Sequence, residues 1–196
     1  MGDAIRFDGL AQQALLRGDA ARSRTLFRAA AERYRASWEA AGPRAYGRLI
    51  GLLKSSILWG EGGHAAGYVR AQLGDEFRPT VTASGDLRAT SPAACYALAL
   101  AALAQGDDEA ALPGIEGMRA GEDAAFARTA DALHALAIGD REAYAAAVEA
   151  IVADFAAREV HLTGVAFADT AVMLERLAAP RGMAVRPASV VMPVLG

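Results

Sequence analysis

The chain has 196 residues, 54% of them hydrophobic and 7% aromatic, with a net charge of −3 and a pI near 5.6. That length suffices for one substantial core, and the acidic balance excludes a general nucleic-acid binder, because nothing supplies a broad positive field for phosphates. Alanine, about a quarter of the residues, is the best helix former and lets helices pack closely, so a single all-α domain over residues 1–196 is expected.

A first helix is expected from about Asp3 to Arg17, stopping at Gly18-Asp19. A glycine suits the left-handed conformation that ends a helix, and an aspartate caps the next one. The second helix, about Ala20 to Ala40, carries Phe27, Ala30, Ala31, Tyr34 and Trp38 at helical spacing, with Arg24, Arg28 and Arg35 on another side. Gly42-Pro43 should end it. The third, about Arg44 to Trp59, is apolar nearly all round and so belongs in the middle of a bundle. Gly47 and Gly51, one turn apart, suit the close approach of a neighbour. Gly60-Glu61-Gly62-Gly63 reads as a flexible turn and His64 to Leu73 as a short helix. Residues 75–91, broken by Pro79 and Gly85, read as a long loop, with an extended piece at Thr80-Val81-Thr82.

Pro92 to Gln105 forms the next helix and ends at a second junction, Gly106-Asp107. Its successor is expected to be weakened by Pro113, Gly114 and Gly117. Glu122 to Ile138, the third junction Gly139-Asp140 and a helix to about Arg158 follow, with Tyr144, Val148, Ile151 and Phe155 on one stripe. A last helix spans about Val165 to Leu177. The tail over 183–196, with two prolines and alternating apolar residues, should be extended and lie along the helices.

Motifs for chemistry are sparse. There is no phosphate-binding glycine loop, nucleophile elbow or HExxH pattern. His64, His134 and His161 are far apart, so no metal ligand, cofactor or catalytic residue is assigned. Cys95 reads as a small buried hydrophobe in a reducing compartment. The longest apolar run, Leu49 to Trp59, is too short to span a bilayer, and the start carries no apolar signal core; a soluble, cytoplasmic protein is expected.

Two isolated charges stand out. Asp169 is the one charge in the apolar segment Val165 to Leu174, and Lys54, the only lysine, sits on the apolar third helix. A buried charge without a partner costs several kcal/mol, so Asp169 should be partly buried and paired with a cation, with Lys54, Arg48 and Arg128 as candidates. A second polar cluster is Asp154, Arg158, Glu159, His161 and Thr163, where Asp154 and Arg158 suit a surface ion pair. Arg128 and Asp131 have similar spacing. The arginine face of the first hairpin (Arg24, Arg28, Arg35) together with Trp38 is the best candidate for binding a partner, since arginine and aromatics dominate interface energetics.

The third hairpin begins about thirty-three residues after the second, close to the tetratricopeptide period. With Leu10 and Ala11 before the first turn and Phe27 and Ala30 after it, and Ala132, Ala135, Val148 and Ile151 similarly placed in the third hairpin, the chain resembles a degenerate tetratricopeptide-like array. The first two turns are eighty-eight residues apart, which is not a multiple of that period. The early Leu-Leu-Arg-Gly-Asp, the later Gly-Asp-Arg-Glu-Ala-Tyr and the closing Arg181-Gly182-Met183 before a Pro-containing tail resemble immunity-protein family forty-nine, small helical proteins that neutralise bacterial toxins. The fold expected is an irregular antiparallel helix-hairpin array, either a tetratricopeptide-like α-solenoid or a compact bundle. The function expected is non-enzymatic protein interaction, with toxin neutralisation as its specific form and self-association plausible. The alternative is a small-molecule-binding protein or enzyme with a pocket around Asp169 and Lys54. A deep pocket with converging charges would favour the alternative.

Overall fold

Each Gly-Asp junction works as a reversal of the chain. Gly18, Gly106 and Gly139 adopt φ of +80°, +75° and +74°, the left-handed region that glycine enters without steric cost. The next amide then turns back onto the preceding helix: Asp19 N–H donates to Ala14 O (2.9 Å), Asp107 to Ala102 (3.0 Å) and Asp140 to Ala135 (2.9 Å). The same aspartates accept the first free amides of the following helices, from Arg22, Ala110 and Ala143. One dipeptide thus satisfies orphan carbonyls on one side and orphan amides on the other.

The computed structural model describes residues 1–41, 44–73 and 91–193. Among them the chain is all-helical, without strands: α1 (Gly2–Leu16), α2 (Ala20–Glu39), α3 (Tyr46–Trp59), α4 (Gly62–Leu73), α5 (Pro92–Ala104), α6 (Asp108–Arg119), α7 (Ala124–Ile138), α8 (Arg141–Ala156) and α9 (Asp169–Ala178), closed by a 3-10 turn, Ala179–Arg181. The break expected at Gly42-Pro43 lies outside the described residues. So does the loop over 75–91, except Ser91, the N-cap of α5.

From α1 to α8 each helix packs on the next, while α3, α5 and α7 also touch in series. Helix α9 returns to lie against α3, α7 and α8. The core runs through Phe27, Leu49, Leu53, Leu100, Leu103, Leu133, Tyr144 and Phe167. Ala94, Ala97, Ala99, Ala101 and Ala102 are buried with α5, where their small side chains admit helices on several sides.

Three sequence expectations are corrected. Gly62 and Gly63 open α4 instead of forming a turn, because Gly60 alone (φ +107°) ends α3 and Glu61 N–H closes onto Ser56 O. Helix α6 is unbroken despite Pro113, Gly114 and Gly117. A Cβ at Gly114 would lie 2.8 Å from Cys95 O, and one at Gly117 2.4 Å from Cys95 Sγ. Those glycines let α6 settle directly on α5, and the packing outweighs a propensity cost of about 1 kcal/mol each. Helix α9 starts at Asp169, not near Val165, because Ala168 N–H is engaged by Val191 O of the tail at 2.8 Å.

The tail over 183–193 lies along the helices, burying Met183, Val191 and Met192. Glu175, only 3% exposed, accepts from the Tyr144 hydroxyl (2.9 Å) and from the amides of Val185 (2.9 Å) and Arg186 (2.6 Å). A buried carboxylate with three donors is well satisfied, and it ties tail, α8 and α9 together.

Two glycine substitutions should move stability in opposite directions. Gly114→Ala should lower it by about 1–3 kcal/mol through overpacking against backbone. Gly67→Ala in α4, whose Cβ would meet only the end of Gln105 at 3.6 Å, should raise it by about 0.5–1 kcal/mol. Urea denaturation midpoints of both variants check this.

Candidate functional site

A cleft of about 270 Å³ opens where α1, α3, α7, α8 and the start of α9 converge. Its inner end is built from residues remote in sequence. Asp8 shares a face of α1 with buried Ala4, Ala11 and Leu15, so core packing carries its carboxyl inward, leaving it 8% exposed. Tyr34 reaches it from α2 and donates to Asp8 Oδ2 at 3.2 Å. The tyrosine ring lies on bare α3 backbone: a Cβ at Gly51 would fall 2.6 Å from it. One turn further along α3, Lys54 forms an ion pair with Asp169 Oδ2 and donates to Thr170 Oγ1 at 3.0 Å. Asp169 Oδ1 accepts from Thr170 N–H at 2.8 Å. The carboxylate occupies the first turn of α9, where the helix dipole favours negative charge.

These groups perturb one another. Burial, then the neighbouring Asp169, pushes the Asp8 carboxyl up to about 7, against the pull of Lys54 and the Tyr34 hydrogen bond. Burial, then the charge of Asp8, raises the Tyr34 phenol. Burial works against the charge on Lys54, yet Asp169 and the surrounding oxygens together raise its pKa. Tyr96, from α5, also lines the cleft. It is close enough to Lys54 and Thr170 to feel them, and its hydroxyl is sealed from solvent.

The outer end has the opposite composition. Asp154 accepts from Arg128 at 2.6 Å and from Arg158 at 2.5 Å. Partial burial raises the Asp154 carboxyl, but the two guanidiniums outweigh it and hold the group below the usual carboxylate range. Arg158 lies 3.9 Å over the Phe155 ring, and His161 stacks on the same phenylalanine at 6.3 Å. Phe126, Ile151, Phe155 and Phe167 contribute apolar surface to the lining.

Of the cations considered for Asp169, Lys54 is therefore the partner. Arg48 instead donates to Ser37 O, and Arg128 belongs to Asp154. The spacing of Arg128 and Asp131 does not become a pair, because Asp131 faces Arg119 at 3.0 Å across the α6–α7 contact. Arg24, Arg28 and Arg35 are exposed along α2 and Trp38 is half-buried. Arg28 pairs with Glu32 and lies over Trp59; Arg35 pairs with Glu39 and lies over Tyr68. Trp38 stacks on Tyr46 and donates its indole N–H to Gln72. His64 is exposed and lines a groove with Arg28, Trp59 and Tyr68, and His134 is half-buried on α7. Among the described residues no group of His, Cys, Asp and Glu could hold a metal, and no helix is long and apolar enough to cross a membrane.

Asp8, Tyr96 and Glu175 were not singled out from the sequence as polar site residues. A signal existed for Asp8, which falls four after Ala4, three before Ala11 and seven before Leu15, in register with the apolar face. Compared with protein-family models, curated proteins and solved structures, the chain matches none.

Two stability measurements probe the inner end. The folded chain keeps a proton on Asp8 that the unfolded chain releases near 3.8, so this group's contribution to stability falls as pH rises from 3.8 to about 7 and is level above. Asp8→Asn should remove that decline, flattening a pH series of urea midpoints and raising stability above neutrality. Lys54→Met leaves Asp169 without its cation beside the buried Asp8 and should cost about 2–3 kcal/mol, less than a fully buried pair because solvent reaches both partners. Adding Asp169→Asn should recover part of that loss, as a double-mutant cycle by denaturation would register.

Proposed function

We propose that this chain is a non-enzymatic binding protein that holds a small polar molecule in the cleft between Asp8, Lys54 and Asp169 at one end and Arg128 and Arg158 at the other. The observation that carries this reading is the convergence of charges of both signs, from helices far apart in sequence, on a cavity of about 270 Å³ with aromatic walls. Small-molecule sites are concave and mostly apolar, with a few placed polar groups that fix orientation. Lys54 is held as an ammonium by Asp169, which suits recognition of charge better than nucleophilic attack. The single cysteine, buried in the core, suits action in the reducing cytoplasm.

A second reading is a protein-interaction module, the role that the resemblance to toxin-neutralising immunity proteins and to tetratricopeptide-like arrays implies. What favours it is the groove of about 280 Å³ beside α2, where arginines lie over Trp59 and Tyr68. Against it, Glu32 and Glu39 already answer Arg28 and Arg35.

The two readings separate by experiment. Gly47 lines the cleft, and a Cβ there meets nothing within 4 Å, so Gly47→Leu should fill the cavity without strain. Protein purified from its host should release a stoichiometric small molecule on denaturation, detected by mass spectrometry, and Gly47→Leu should lose it at an unchanged melting temperature. No released compound, together with a stoichiometric protein partner lost in Arg28→Glu and Trp38→Ala, would replace the first reading by the second.

A further inference from the structure

The two ends of the cleft are unbalanced in opposite senses. At the inner end two carboxylates, Asp8 and Asp169, face one ammonium, Lys54. At the outer end two guanidiniums, Arg128 and Arg158, share one carboxylate, Asp154. Among the described residues that pair at each end, carboxyl groups outnumber cations inside and cations outnumber carboxylates outside.

Burial makes the inner deficit matter more. Asp8 is 8% exposed, and the Lys54 and Asp169 side chains are 15% and 24% exposed, against 33%, 30% and 37% for Arg128, Asp154 and Arg158. An uncompensated charge is expensive where water is scarce. The protein avoids that cost by leaving a proton on Asp8. Outside, water solvates the surplus guanidinium. Phe126, Ile151 and Phe155 add apolar surface to the lining of the same cleft.

We propose that the cleft binds a small zwitterion, an amino-carboxylic acid whose ammonium lies against Asp8, whose carboxylate lies between Arg128 and Arg158, and whose apolar stem follows Phe126 and Phe155. This rests on the small-molecule reading of the cleft. A simple amine would balance the inner end but must pass two guanidiniums and leaves them in surplus. A simple carboxylate would suit the outer end and leave the inner one unchanged. Only a ligand carrying both charges balances both ends.

Proton release accompanies binding. The groups facing Asp8 are Tyr34 on α2, Lys54 on α3 and Asp169 on α9. The arriving ammonium takes the place of the Asp8 proton, which leaves to solvent. Below about 7 that proton must be displaced, so affinity falls by about tenfold for each pH unit.

The test is calorimetric titration of the full chain with the ω-amino acids glycine, β-alanine, γ-aminobutyrate and ε-aminocaproate. Butylamine, butyrate and butanediol are the matched controls. About one pH unit above the Asp8 value, at least one zwitterion should bind tenfold or more tighter than every control. Its affinity should fall on acidification with release of one proton. Asp8→Asn should weaken it and abolish the pH slope. Arg128→Gln should reduce zwitterion affinity tenfold while leaving butylamine unaffected; Arg158→Gln is the second variant should the first not fold. If butylamine, butyrate or butanediol binds as tightly as any zwitterion, or if Asp8→Asn leaves zwitterion affinity and its pH slope intact, the zwitterion assignment is wrong and the small-molecule reading survives. If no probe binds and no compound is released from the host-purified protein, both fall.

Discussion

Helix ends carry backbone amides and carbonyls that cannot be left unpaired inside a protein, and in this chain a two-residue device meets that demand three times. A glycine at positive φ lets the next amide reach back five residues, and the aspartate that owns that amide also receives the amides beyond it. Everything built above depends on the reversals so produced. They set α1 on α2, α5 on α6 and α7 on α8, and they leave α3, α5 and α7 touching in series. The return of α9 onto α3 and α7 then closes one side of a cleft whose other walls were already in place.

The cleft shows how a core can be made to carry charge. Asp8 and Lys54 sit on helix faces that are mostly apolar, with buried Gln12 one turn after Asp8, so packing draws them in regardless of their polarity. Once inside, each is tolerable only because of the other groups there: Tyr34 donates to Asp8, while Asp169 and Thr170 engage Lys54. The outcome is a carboxyl that stays protonated to about 7 and a lysine that stays charged. Glu175 shows a different solution to the same problem, three neutral donors gathered on one buried carboxylate. The first arrangement is left incomplete and borders a cavity; the second is saturated and structural.

Glycine in this sequence has two meanings that local reading confuses. Gly18, Gly106 and Gly139 are stops, recognisable because an aspartate follows at once. Gly51, Gly114 and Gly117 are contact points inside helices, where a neighbour occupies the space of a missing Cβ. Taken as breakers, the latter two and Pro113 imply a weak α6; packed against Cys95, they belong to an unbroken one. Lys54 and Asp169 were conspicuous as single charges among apolar neighbours, and the need for a counter-ion followed from burial alone. Which of Lys54, Arg48 and Arg128 would supply it did not follow.

The sequence by itself determined the helical class, the three reversals and the identity of the two lone charges, because these depend on contacts within a few residues or on composition. Only the tertiary structure decided that Asp8 would join Lys54 and Asp169, that Arg128 would leave Asp131 for Asp154, and that Tyr96 would end beside Lys54 and Thr170. Asp8 and Asp169 lie at opposite ends of the chain, and no short-range rule relates them. Their meeting depends on which faces of α1, α3 and α9 bury the most apolar surface together, a property of the whole assembled core.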